Sequence, residues 1–118
     1  PEINVQATAP ELSAQQIDNG VAKPLRRQLM QVGGLKEIKS QSQDGISNIK
    51  LKFDYETDIN LAFIEVNEKI DAVSGLLPKN VLRPKAVKAN ATDIPVLYVN
   101  MTLHQRHTFY KCVMLLGM

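Results

Sequence analysis

From Thr57 to Pro78 the chain reads TDINLAFIEVNEKIDAVSGLLP, and its apolar residues Ile59, Phe63, Val66, Ile70, Val73 and Leu77 step by 4, 3, 4, 3 and 4. That spacing lays them along one face of a helix about five turns long. A helix with one apolar face must bury it against another layer, which limits the fold to a small set of layered architectures. Val66 and Val73 lose side-chain freedom in a helix, so packing rather than propensity has to hold this one. Leu61 and Ile64 lie outside the stripe and ask for a second contact, either a loop of the same domain or another chain.

The flanking segments supply the other layer. In Glu2–Ala9, Ile3, Val5 and Ala7 alternate with Asn4, Gln6 and Thr8, the period of a half-buried strand that Pro10 stops. Ser13-x-x-Gln16 is a capping box. After it, Ile17, Val21, Leu25, Leu29 and Val32 share one helical face. Pro24 removes a hydrogen bond from that helix and predicts a kink, and Gly33-Gly34 ends it. Leu35–Ser42 and Ile46–Asp54 read as two strands joined at Gln43-Asp44-Gly45, with a bulge expected near Ile46, where the alternation of Ile49, Leu51 and Phe53 breaks. The helix Asp58–Leu76 follows, then a mixed segment from Lys79 to Asp93, then a last strand Ile94–Leu103. Strand, helix, strand, strand, helix, strand is the α+β, ferredoxin-like split βαβ unit (βαββαβ): a four-stranded antiparallel sheet with two helices on one face.

Composition narrows the function. At 118 residues there is room for one domain with its own core. A net charge of +2 lacks the basic bias of a nucleic-acid binder. The central strands offer Asn4, Gln6, Thr8, Lys50 and Lys52, on which bases find nothing to stack. The single Cys112 excludes an internal disulfide. No apolar run approaches the roughly 20 residues needed to cross a bilayer. The chain starts at Pro1 without a Met, which suggests a piece of something longer. No glycine-rich phosphate loop, paired cysteine or nucleophile–base pair stands out, so no enzyme activity, cofactor or metal is expected. His104, His107 and Cys112 match no usual zinc spacing and want a fourth ligand. Glu56, Asp58, Glu65, Glu68 and Asp71 read as a wet helix face.

The ordered pieces VQATAPELSAQQIDNGVAKPLRRQL, VGGLKEIKSQSQDGISNIKLKFDYETDINLA, VNEKIDAVSGLLPKNVLRPKA and DIPVLYVNMTL resemble, from Pro1 to about Leu103, the first periplasmic porter subdomain of a resistance–nodulation–division (RND) efflux transporter. The resemblance implies a trimeric, proton-driven pump in the inner membrane of a Gram-negative bacterium, with this piece in the periplasm. Its implied partners are the remaining porter and membrane domains, the two other protomers, a periplasmic adaptor and an outer-membrane channel. It implies that Asn60, Ile64 and Asp71 line the central pore, and that Gln6, Asn48, Lys88, Asn90 and Thr92 contact the exported drug or cation. Met30, Met101, Met114 and Met118 do not cluster as a copper or silver pump would want, which favours drugs or amphiphiles. The likeness stops at His104, so residues 104–118 are expected to form an atypical tail beyond a 1–103 subdomain. The contrasting expectation is a stand-alone ferredoxin-like module that binds a small ligand or regulates a partner.

Overall fold

A computed structural model describes residues 1–89 and the strand 110–115. The elements run β1 (Glu2–Thr8), α1 (Ala14–Ile17), a π turn (Asp18–Ala22), α2 (Lys23–Leu29), β2 (Leu35–Gln43), β3 (Ile46–Phe53), α3 (Ile59–Ser74), β4 (Lys85–Ala89) and β5 (Tyr110–Leu115). The sheet order is β4-β1-β3-β2-β5, and every pairing is antiparallel. The first four strands in that order make the α+β split βαβ sheet, and both helical layers lie on one of its faces.

The alternating patterns produce the core directly. Ile3, Val5 and Ala7 of β1, Ile49, Leu51 and Phe53 of β3, and Leu35 and Ile38 of β2 all turn to the helix side and are buried. From above, Leu25 and Leu29 of α2 and Ala62, Val66, Ile70 and Val73 of α3 close over them, with Ile59, Phe63 and Leu77 packed at the margin. Each fully buried Leu or Ile contributes about 1.5–3 kcal/mol over its exposed state. A smaller cluster of Ala7, Ala9, Ile17 and Val21 closes the end of the sheet near the β1–α1 loop.

Pro24 acts differently from a simple kink. It has no N–H to give the turn before it, and its ring crowds the carbonyl four residues back. The chain answers by widening into the π turn, where the N–H of Lys23 is donated to the carbonyl of Asp18. Five buried apolar residues, Ile17, Val21, Leu25, Leu29 and Val32, stay on the inner face through this change.

The hairpin and the last strand also differ from the sequence reading. Ile46 pairs regularly with Gln43 and Thr8, and the one irregularity of β2–β3 falls instead between Leu35 and Glu37. Gly45 holds φ at +84°, while Asp44 stays at negative φ. The Asp44 carboxylate accepts the N–H of Ala14 at 2.8 Å, and so pins the hairpin tip to the start of α1. The fourth strand of the unit is Lys85–Ala89, inside the segment read as mixed. Of its residues only Ala86 is buried, so it carries almost no apolar alternation and joins β1 through the backbone. The strand expected at Ile94–Leu103 lies outside the described residues. Residues 110–115, from the stretch expected to be an atypical tail, add β5 to the outer edge of β2.

Candidate functional site

Two surfaces carry the residues that the sequence singled out. The first is the open face of the sheet. Strand alternation turns Asn4, Gln6 and Thr8 of β1 away from the helices, and the register sets Gln6 between Asn48 of β3 and Lys85 of β4. The Gln6 Nε2 donates to the Asn48 Oδ1 at 3.1 Å. Gln41 stands opposite Asn48 on the next strand, and Lys39 opposite Lys50. The Asn4 Oδ1 is buried with no hydrogen-bond partner among the described residues. A strip of side-chain amides therefore crosses the sheet, flanked by Lys39, Lys50, Lys52 and Lys85, with Lys39 3.6 Å from Glu37. Amides both donate and accept, so this strip can match mixed polar groups on a ligand. It offers no aromatic platform.

Lys88 does not belong to that strip. It stands opposite Ile3, so its parity along β4 turns it to the helix side. There its ammonium donates to the Asn60 Oδ1 and lies 5.3 Å from the centroid of the Phe63 ring. Gln6 and Asn48 thus come together, whereas Lys88 joins α3 at the opposite side of the sheet. Asn90 and Thr92 lie outside the described residues.

The second surface is the outer side of α3. Asp58 caps the helix by accepting the N–H groups of Asn60 at 2.9 Å and Leu61 at 3.4 Å. From that fixed start the 3.6-residue turn carries Asn60, Ile64 and Asp71 outward. Leu61 and Ile64 are 64% and 55% exposed, a large apolar pair on a helix whose other side is fully packed. Asp71 is held by Arg83 at 3.0 Å, and Arg83 also donates to the Asn67 Oδ1 at 3.4 Å and the Pro84 carbonyl at 3.2 Å. Sequence reasoning missed Arg83 because it lies in the aperiodic segment after the helix. Its only local signal is the Arg-Pro step, which forces an extended return along α3.

A third polar group sits between helix and sheet. The Arg26 guanidinium donates to Ser40 Oγ at 2.8 Å and to Asp18 Oδ1 at 3.4 Å. Ser42 donates to Asp18 at 3.3 Å and shares a 2.8 Å hydrogen bond with Ser47. These groups satisfy one another and fix the helical layer over the hairpin. An open concavity of about 630 Å³ lies elsewhere, lined by Gly33, Gly34 and Asp54–Thr57, and none of the sequence-predicted contact residues lines it.

Among the described residues no group of three or more His, Cys, Asp or Glu side chains could hold a metal ion. His104 and His107 lie outside those residues. No described helix is long and apolar enough to cross a membrane.

Residues 1–113 match the family model described as AcrB/AcrD/AcrF family. The chain is similar to "Multidrug resistance protein MdtC" of Proteus mirabilis (strain HI4320), 35% identical over 109 residues, covering 92% of this chain and 11% of that protein. It is 38% identical over 103 residues to proteins of the same name from Escherichia coli O7:K1 and from Shigella flexneri, covering 86% of this chain and 10% of each of them. The chain therefore spans about a tenth of the length of the curated relatives it matches.

Proposed function

The chain belongs to the AcrB/AcrD/AcrF family of RND efflux transporters, and on that premise we propose that it works as the first porter subdomain of a proton-driven multidrug efflux pump. The observation that carries this reading is the match running unbroken from residue 1 to residue 113 over a split βαβ unit. The parent is an inner-membrane trimer, and this subdomain lies on its periplasmic side beside the other porter domains. An adaptor and an outer-membrane channel complete the export path. The charges that carry protons belong to the parent's membrane helices, so this piece alone moves nothing and catalyses nothing.

The two surfaces take separate roles in this reading. The amide strip centred on Gln6 and Asn48 forms part of the substrate path, and drugs or amphiphiles, rather than copper or silver ions, are its cargo. Asn90 and Thr92 are further cargo contacts in this reading. The outer side of α3 faces the trimer axis, where Leu61 and Ile64 from three copies cover one another. The Asp71–Arg83 pair supports this use of the helix, because it offsets a carboxylate that would otherwise meet its own copies across a narrow axis. Lys88, bound to Asn60, braces the start of the same helix instead of touching cargo.

Cysteines placed singly at Asn60, Ile64 and Asp71 in the assembled parent test the arrangement. Oxidation is expected to give crosslinks between protomers at Ile64 and at one or both of the others. No crosslink at any of the three overturns the pore-facing reading.

A further inference from the structure

The split βαβ order leaves β2 at one border of the four-stranded unit, nine residues long and paired by β3 on one side only. A border of that length is a template for another strand. Residues 110–115 cover it, from Glu37 opposite Leu115 to Ser42 opposite Tyr110. The covering strand arrives from far away. β4 ends at Ala89 on the opposite border of the sheet, and β5 begins at Tyr110.

β2 asks little of the side chains of that strand. Ser42 and Ser40 stand opposite Tyr110 and Cys112, and their hydroxyls are engaged by Asp18, Ser47 and Arg26. Glu37 and Lys39 pair with each other. Of the β2 residues in the paired stretch, only Ile38, opposite Met114, is apolar and buried. A main-chain ladder with so few side-chain demands is the arrangement by which sheet edges accept extended segments.

We propose that the outer edge of β2 is a strand-docking site which the chain closes with its own residues 110–115, and that its partner in trans is the same strand of a second copy. An exchanged pair of chains rebuilds the same ladder twice with no new contact required. The tether sets the balance. A strand carried on the same chain competes at an effective concentration on the order of mM. The closed chain therefore dominates in dilute solution. Exchange takes over when the protein is concentrated to that level, and a chain whose own strand is disabled leaves the edge open to an intact strand supplied from outside. This inference stands apart from the transport reading.

The test uses a fluorescein-labelled peptide of residues 108–117 carrying Cys112→Ser, and three versions of the 118-residue chain. One is the natural chain. The second carries Cys112→Pro with Val113→Pro, adjacent changes that remove a ladder donor whichever way the strand faces. The third carries Lys39→Cys and Val113→Cys with Cys112→Ser, oxidised so that a disulfide between register partners pins β5 to its own β2. The proline variant is expected to bind the peptide at least about tenfold more tightly than the natural chain, and the pinned variant to bind none. A proline variant that keeps amide protection in β1 and β3 yet binds no peptide overturns the proposal, as does a pinned variant that binds like the natural chain. Should the prolines abolish that protection, sedimentation at about 1 mM decides. A dimer in the natural chain that is absent from the pinned one supports the exchange, and equal distributions overturn it.

Discussion

Gly34 holds φ at +79°, and a Cβ added there would run into the side chain of Thr57. Gly34→Ala therefore meets both a left-handed backbone and a clash, and is expected to cost about 2 kcal/mol in urea unfolding of the isolated chain. The Gly33-Gly34 step announced a left-handed helix end, but the clash at Gly34 comes from Thr57, twenty-three positions on, and no local pattern carries it. Asp44 is a similar case: it reads as a turn residue, while its carboxylate serves α1. The Asp18–Arg26 group likewise depends on the π turn, which brings together two residues eight apart. Arg26→Ala leaves Asp18, its side chain 19% exposed, with the Ser42 hydroxyl in place of a cation. It is expected to cost about 2 kcal/mol in the same assay, below the full penalty of a dry ion pair because some water reaches both groups.

At the scale of elements, α3 is packed along one side and bare along the other. Ile70 is fully buried beneath it and Ile64 is 55% exposed. Ile70→Ala is expected to lose about 3 kcal/mol of stability, and Ile64→Ala less than about 0.5 kcal/mol. Arg83→Ala is expected to cost below about 1 kcal/mol in the isolated chain, since both partners are half-exposed or more. Any larger effect of Ile64 or Arg83 substitutions on assembly or resistance in the parent would then belong to the interface. The stripe Ile59, Phe63, Val66, Ile70, Val73 and Leu77 was legible because a buried face repeats every turn. β4 was not, since an edge strand with one buried residue is held by its backbone and leaves no hydropathic trace. Gln6 and Asn48 could be placed on one face by strand parity alone. Lys88 could not, because parity is lost once a strand's start is unknown.

For the molecule as a whole, the order of elements fixes which borders and faces remain for other contacts. Two helical layers cover one face of the sheet, so the amide strip must look outward, and α3 must show its outer side to whatever lies beside it. These constraints follow from alternation, helix length and right-handed crossovers, which is why the ferredoxin-like unit is legible in the sequence. The addition of β5 could not, because pairing at an edge needs only an extended backbone. The central claim is that this subdomain works as one part of a large membrane pump. An antibody raised against the chain and used to probe membrane and soluble fractions of the cells that carry its gene tests that claim most directly. A large membrane-bound polypeptide is the expected result. A soluble band near 13.1 kDa, with nothing in the membrane fraction, would contradict the account and leave a stand-alone binding module in its place.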